Sequence, residues 1–345
     1  MLYSGKDLRK LIIPLIIEQI LAIAVGMADT IMVSAAGEAA VSGVSLVDTV
    51  NILLINVFSA LATGGAVVSG HFLGKKKRED ACKSAWQILL FATLLAFVIS
   101  VIFITAHDPL LRLMFGKIED DVMKASKTYL IITTYSFVAL AIYNSCAALF
   151  RAMNESKVTM WVSLLMNVIN VVGNAICIYG LHMGVAGVAI PTTISRYVAA
   201  VVIFLLMFQT KKEINLCGQI TWKFNGSLIK KILYIAIPNG LENSMFQLGK
   251  ILVLSIVTGF GTASIAANAV SNNVATFAVL PGMSIGFAML TVTAQCVGAG
   301  DFEQVHYYTK KLMKTAYAAL AAMNILVVLA IPFIIKIYGL SLIHI

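Results

Sequence analysis

One carboxylate, two amides and one hydroxyl interrupt long apolar stretches of the sequence. Asp29 lies in VGMADTIMV at 25–33, Asn170 and Asn174 lie in LLMNVINVVGNAI, and Thr192 lies in PTTISR. Asn170 and Asn174 are four residues apart and therefore share one face of a helix. Oxygen atoms of carboxylates, amides and hydroxyls suit a hard cation, so these four residues predict a sodium site.

A carboxylate inside a membrane is costly, which makes Asp29 the leading functional residue. Its insertion at mid-bilayer costs roughly 2.5 to 3.5 kcal/mol, whereas an interhelical hydrogen bond contributes about 0.6 kcal/mol on average. Asn167 and Thr193 fit such structural hydrogen bonds as well as they fit a site. Arg196 is either a charge partner of Asp29 or a cation of the cavity. We expect Asp29 to exchange a proton against sodium, with Pro14 as a hinge in the same helix.

A second group of polar residues lies in the later part of the sequence. Glu242 and Lys250 interrupt one apolar stretch, so they should face protein or water and not lipid. Glu242 is a candidate second carboxylate, and Lys250 is a candidate charge partner or cavity cation. Glu18, which also follows a proline by four residues, is either solvated near the membrane surface or functional. Five flexible or aromatic residues either pack or line a drug cavity: Met245, Phe246, Phe277, Met283 and Phe287.

The composition is that of a protein with many membrane spans. Of 345 residues, 60% are hydrophobic and only 12% are charged, and apolar runs recur along the whole chain. A single water-soluble domain has no room to bury so many runs. The five cysteines are scattered and form no CxxC pair, which indicates free thiols.

Nine apolar stretches are long enough to cross the bilayer as helices. They lie near residues 9–34, 45–73, 86–107, 125–150, 158–180, 186–208, 229–257, 265–299 and 312–335. Every second connection is rich in Lys and Arg, as in KKKR at 75–78, and the net charge of +9 therefore marks topology. The positive-inside rule predicts a cytoplasmic amino terminus. We expect the protein to lie in the inner or plasma membrane.

The sequence contains an internal repeat with an offset of 223 to 226 residues. PLIIEQ at 14–19 resembles PNGLEN at 238–243, and SGHFLGKKK at 69–77 resembles TAQCVGAGD at 293–301. Six spans per repeat predict an all-α fold of two six-helix lobes, related by an axis along the membrane normal.

The repeat also predicts the domain organisation. We expect a six-helix lobe at 1–210, a cytoplasmic linker at 211–228, and the first three helices of a second lobe at 229–345. A complete protein of this kind would have roughly 450 residues, so the second lobe is expected to be incomplete by about three helices.

Several segments taken together resemble the multidrug and toxic compound extrusion (MATE) transporters. In the first half they are PLIIEQILAIAVGMADTIMVSAAGEAAVSGVSL at 14–46, GGAVVSGHFLGKKK at 64–77, ALFRAMNESK at 148–157 and NVINVVGNAICIYGLHMGVAGVAIPTTISR at 167–196. The PNGLEN and TAQCVGAGD segments fit as well. The resemblance extends over residues 5–341.

The resemblance implies twelve helices in two lobes and the export of amphipathic, often cationic compounds, driven by inward sodium or proton flow. Asp29 matches the ion-coupling aspartate of the first helix, and Thr192 matches a hydroxyl of the sixth. Asn170 and Asn174 match a fifth-helix motif that reads Asn-x-x-x-Asp in well-known members, so the second carboxylate is an amide in this chain. Some members use a glutamate in the seventh helix. Glu242 lies in the matching helix of this chain, but closer to Pro238 than the resemblance leads us to expect.

Two other functions remain open at this point. A flippase of a lipid-linked precursor needs several cations to hold a pyrophosphate, whereas Arg196 and Lys250 are the basic residues inside the spans. A channel-like protein without coupling predicts that Asp29→Asn leaves solute movement insensitive to ion gradients.

The sequence also predicts partners. It has no phosphate loop, HExxH or nucleophile elbow, so we expect no enzyme. We expect no cofactor besides sodium or protons, and no nucleic acid. The expected partners are small amphipathic substrates and the lipid bilayer, and the expected state is a monomer.

Overall fold

The computed structural model describes residues 3–115, 119–218, 220–258 and 262–338, and every regular element in these ranges is a helix. The elements of the first part are α1 (Gly5–Ser34), α2 (Glu38–Gly74), α3 (Arg78–Thr105), α4 (His107–Phe115), α5 (Asp120–Thr134), α6 (Phe137–Ala152), α7 (Ser156–Ala175), a π-helical turn (Ile176–Gly180) and α8 (Ala186–Leu206). The later elements are α9 (Gly226–Thr258), α10 (Thr262–Ala299) and α11 (Phe302–Tyr338). The predicted all-α class is confirmed.

The first helix begins at a capping box. The Asp7 backbone N–H donates to the Ser4 hydroxyl at 3.2 Å, and the Ser4 backbone N–H donates to the Asp7 carboxylate at 2.9 Å. These bonds satisfy two amides that the helix itself leaves without partners. The helix then continues through Pro14, which is buried, so that a single element connects the amino terminus to Asp29.

Seven of the described helices are long and apolar enough to cross a membrane, and α5 with α6 form one further bent span. The seven are α1, α2, α3, α7 with its π-helical turn, α8, and the segments 274–299 of α10 and 302–332 of α11. The helix α9 has 33 residues but is interrupted by Glu242, Lys250 and several amides, and it is not among the seven. Eight spans at most are therefore supported, and the count of nine stays a prediction.

The predicted single span at 125–150 is two helices that meet at an angle of 51°. Hydroxyl side chains next to the break donate to backbone carbonyls: Thr133 to Tyr129 at 2.8 Å, Thr134 to Leu130 at 2.7 Å, and Ser136 to Thr133 at 2.6 Å. Side chains that compete for backbone oxygens in this way bend membrane helices. The short helix α4 was likewise not predicted.

Two apolar clusters organise the first part of the chain. The larger one joins α2, α3, α6 and α8, with Ile88, Phe150 and Ile203 fully buried. The second joins the end of α1 to α2, α4, α5, the π-helical turn and α8, around residues such as Val33 and Val47. Because Val33 lies one turn beyond Asp29, this second cluster covers the site on the side of the α1 carboxyl end.

The predicted linker runs along α3. Arg78 donates to the backbone oxygens of Glu213 and Thr210 at 2.9 Å each, and the Trp86 indole donates to Thr221 O at 2.7 Å. Gln87 donates to Lys223 O at 2.9 Å. The segment is thus attached to the first part of the chain along much of its length.

Small residues allow α2 and α10 to cross at very short distance. A Cβ added to Gly74 would lie 2.0 Å from Gln295 O, and one added to Gly298 would lie 2.2 Å from His71 O. These contacts are reciprocal in the repeat, because His71 corresponds to Gln295 and Gly74 corresponds to Gly298 at an offset of 224. A third apolar cluster joins the start of α1 to α10 and α11 nearby.

Candidate functional site

The structure brings the four predicted oxygen-bearing residues into one hydrogen-bonded chain. Asn174 Nδ2 donates to Asp29 Oδ1 at 2.7 Å and to Asn170 Oδ1 at 3.3 Å. Asn170 Nδ2 donates to Thr192 Oγ1 at 2.8 Å. These hydrogen bonds connect α1, α7 and α8 at one level of the bundle. Asn174, Asn170 and Thr192 are buried, and Asp29 is half-buried.

A close helix contact positions the partners of Asp29. A Cβ added to Gly173 would lie 2.6 Å from the Cβ of Pro191. These two residues immediately precede Asn174 and Thr192 in the sequence. Because Gly173 has no side chain, α7 and α8 approach closely enough for their amide and hydroxyl groups to meet.

One oxygen of this site has no hydrogen-bond partner among the described residues. Asn174 is 0% exposed, and its Oδ1 is unpaired. A buried polar atom without a partner costs about 1 to 3 kcal/mol, which a bound cation would offset. The Asp29 carboxylate and this amide oxygen therefore fit the hard-donor chemistry expected for sodium.

Arg196 does not close the site as an ion pair with Asp29. Its Nη1 donates to the hydroxyl of Ser136 at 2.8 Å, and no ion pair within the described ranges joins it to Asp29. It lies within electrostatic range of both Asp29 and Asp48. The arginine thus reduces the net negative charge of the region without forming an ion pair with Asp29.

Asp48 is a residue of this region that the sequence analysis missed. It lies on α2, half-buried, and its Oδ1 accepts hydrogen bonds from the Tyr129 hydroxyl at 3.1 Å and from Asn51 Nδ2 at 3.3 Å. Asp48 lies in the first turn of the span predicted to begin at residue 45, where an acid is as compatible with a surface position as with a buried one. The spacing of Asp48 and Asn51 on one helix face was the signal that could have found it.

Glu18 is buried, so the solvated alternative is wrong for this residue. It is 7% exposed, accepts a hydrogen bond from the Thr159 hydroxyl at 2.8 Å, and pairs with Arg151 at 3.4 Å. Arg151 also lies over the ring of Phe287, 5.0 Å from its centre. Glu18 thus connects α1 to α6 and α7, at a position separate from Asp29.

The second predicted group does not join the Asp29 site. Glu242 is exposed, and Lys250 lies over the Phe246 ring, 5.0 Å from its centre.

The surroundings of three predicted cavity residues and of Lys250 differ in the part of the chain that the structure describes. Met245 and Phe246 border an open groove with Lys250. Phe287 packs against Arg151, and Met283 is exposed.

Comparison with known proteins decides the family. The sequence pattern of the MatE family matches residues 14–176 and 238–342. The chain belongs to the MATE family of efflux transporters. Its relatives include the "Uncharacterized transporter YisQ" of Bacillus subtilis, 26% identical over 89% of this chain and 67% of the relative. Another is the "Probable multidrug resistance protein NorM" of Thermotoga maritima, 26% identical over 87% of this chain and 65% of the relative. The chain thus spans about two thirds of the length of these MATE relatives.

Solved MATE structures share the fold. The "Crystal structure of MATE in complex with MaL6" superposes with a TM-score of 0.91 at 22% identity, over 98% of this chain and 75% of that one. The "Crystal structure of MATE in the bent conformation" gives a TM-score of 0.88 at 21% identity, over 97% of this chain and 74% of that one. The resemblance inferred from the sequence is confirmed, as are the membrane, transport and efflux assignments.

Proposed function

We propose that this protein exports amphipathic, often cationic drugs across the cytoplasmic membrane in exchange for sodium or protons. The observation that carries the proposal is the buried hydrogen-bonded chain that begins at Asp29. Relatives described as multidrug resistance proteins support the substrate class. No cofactor is required in this mechanism besides the coupling ion.

The proposed coupling step is the exchange of a cation at Asp29. When sodium binds, the carboxylate and the free Asn174 oxygen become its ligands, and Asn170, which is itself bonded to Thr192, holds Asn174 in place. When a proton binds instead, the neutral Asp29 donates to an oxygen of the same network. Either exchange alters the hydrogen bonds between α1, α7 and α8, and Pro14 is the proposed point at which α1 bends.

We also propose two six-helix lobes, with 1–210 forming the first, 211–228 the linker and 229–345 the beginning of the second. The reciprocal contact of Gly74 and Gly298 supports this arrangement, as do two family matches that start 224 residues apart.

The basic connections support a cytoplasmic amino terminus. We propose that the protein acts as a monomer.

The flippase alternative receives less support. Holding a pyrophosphate requires several free cations. Arg196 interacts with the charges of Asp29 and Asp48, and Lys250 lies over the ring of Phe246, so neither cation is free. The role of Glu242 as a second carboxylate stays a prediction.

Dye efflux from vesicles that contain the protein tests the proposal. Sodium and proton gradients are imposed separately, with wild type and Asp29→Asn compared at equal protein content. We expect at least one gradient to drive efflux in the wild type and neither to do so in the variant. Equal gradient-driven efflux in both proteins would remove Asp29 from the mechanism, and efflux that ignores both gradients would favour the channel alternative.

A further inference from the structure

Asp48 lies in the same polar region as Asp29 but on a different helix. The hydroxyl of Tyr129 and the amide of Asn51 both donate to Asp48 Oδ1, at 3.1 and 3.3 Å. Both donors are buried, at 5% and 3% exposure. The two bonds fix the direction of the carboxylate between α2 and α5. Asp48 is thus a positioned acid inside the bundle and not a mobile surface group.

The two acids influence each other and the same arginine. Ala28, which precedes Asp29, and Val47, which precedes Asp48, pack in one apolar cluster that also contains Tyr129, and the charges of the two acids and of Arg196 interact across it. Tyr129 also lies within range of both acids. On α7, position 174 is an amide, so that helix adds no negative charge beside Asp29.

Each acid is accompanied by an unused amide oxygen. Asn174 donates its NH₂ to Asp29, and Asn51 donates its NH₂ to Asp48. The Oδ1 atoms of both asparagines are buried and have no hydrogen-bond partner among the described residues. Two carboxylates and two free amide oxygens are a donor set for a hard cation.

We propose that Asp48 is a second carboxylate of the cation site that contains Asp29. The proposal rests on the proposed function of Asp29. Two carboxylates and one arginine leave a net charge of minus one in a region of low dielectric, where uncompensated charge is costly. One monovalent cation, or one proton shared by the two acids, neutralises this charge. The site therefore takes one sodium ion or one proton at a time.

Sodium binding to the purified chain in lipid nanodiscs tests this assignment. The unfolding temperature is measured while NaCl replaces choline chloride at constant ionic strength, for wild type, Asp29→Asn and Asp48→Asn. Asp108→Asn is the matched control, because it removes the same charge from an exposed acid paired with Lys127. We expect sodium to stabilise the wild type and the control with a single-site curve. In Asp48→Asn the half-saturating concentration should rise roughly tenfold or more, because a nearby charge is lost in low dielectric.

The results separate the two proposals. If Asp29→Asn keeps the wild-type stabilisation by sodium, Asp29 does not bind the cation and the proposed function is refuted. If Asp29→Asn loses the response while Asp48→Asn matches the control, only the assignment of Asp48 is overturned. Should Asp48→Asn fail to fold, Asp48→Glu takes its place. A sodium response with altered half-saturation supports a ligand role for the carboxylate, and an unchanged curve refutes it.

If sodium does not stabilise the wild type, a second experiment tests proton binding at the same two acids. Infrared difference spectra between acid and alkaline pH, in choline chloride, report the C=O band of protonated carboxyl groups. We expect one band that shifts or disappears in both Asp29→Asn and Asp48→Asn, since the acids share the proton. A band that is insensitive to Asp48→Asn would contradict the proposal.

Discussion

Asn174 Nδ2 donates to Asp29 Oδ1 at 2.7 Å, and this bond ties α7 to α1 at the level of the site. An amide at this position satisfies the carboxylate without adding charge. The oxygen of the same side chain has no hydrogen-bond partner in the part of the chain that the structure describes. Its identity therefore decides how many negative charges surround the proposed ion.

Asn174→Asp should tighten sodium binding. Two carboxylates at hydrogen-bond distance cannot both stay ionised without a cation or a proton between them. At alkaline pH we expect the half-saturating sodium concentration, measured by thermal unfolding, to fall roughly tenfold or more. Asn167→Asp is the matched control, because Asn167 is buried on the same helix and has no described bond to Asp29. An equal effect in both variants would indicate a general response to charge.

Gly173→Ala should separate α7 from α8. Its methyl group would lie 2.6 Å from the Pro191 Cβ, and overpacking of this kind costs about 1 to 3 kcal/mol. The free energy of unfolding in mixed micelles should fall by that amount, and sodium binding should weaken because Asn170 and Thr192 move apart. Gly26→Ala on α1 is the control, since a Cβ there meets nothing within 4 Å. Equal losses in the two variants would show that the close contact is not important.

The depth of the site followed from the sequence because a membrane fixes the length of its helices. In the predicted spans 9–34, 158–180 and 186–208, Asp29 and Asn174 lie near the ends and Thr192 lies near the start of the next, oppositely directed span, which puts them at one level. The structure brings them together. The glycine that permits the contact, Gly173, is visible in the sequence only as one of 24 glycines. Its role requires knowledge of which residue lies opposite.

Asp48 and the bend at residues 135–136 were missed for related physical reasons. An acid in the first turn of a span has the same pattern whether it meets water or turns inward to a partner such as Tyr129. The bend has no proline, and depends on three hydroxyl groups that each bond a carbonyl of their own helix or turn. Such bonds also occur in straight helices, so their presence in a sequence does not locate a break.

Tyr308→Phe should weaken the contact between the amino terminus and α11. The Tyr308 hydroxyl accepts from the Tyr3 backbone N–H at 2.9 Å and donates to the Tyr3 carbonyl at 2.8 Å. Phenylalanine keeps the packing of this fully buried ring but leaves both backbone groups unpaired, at about 1 to 3 kcal/mol. Hydrogen exchange of the Tyr3 amide should accelerate accordingly. Tyr307→Phe, at the more exposed neighbouring ring, should leave that exchange rate unchanged; equal acceleration would contradict the assignment.

Glu18→Gln should destabilise the bundle far more than the loss of a surface pair does. Glu18 and Arg151 pair at 3.4 Å with side chains only 9% and 14% exposed. Removing one partner of a buried pair leaves a charge uncompensated, which costs about 3 to 5 kcal/mol. We expect a loss of that size in the free energy of unfolding for Glu18→Gln.

The double variant Glu18→Gln with Arg151→Gln separates the pair from the packing around it. Removing both charges should cost less than the sum of the single losses, with a coupling of about 0.5 to 3 kcal/mol. Glu79→Gln is the surface control, since its pair with Lys83 is exposed on one face of α3, and it should produce no measurable change. If the two single variants and the control were equally mild, or if the losses were additive, the pair would not hold α1 against α6. The start of α1 would then be fixed by its other contacts, among them the apolar cluster with α10 and α11.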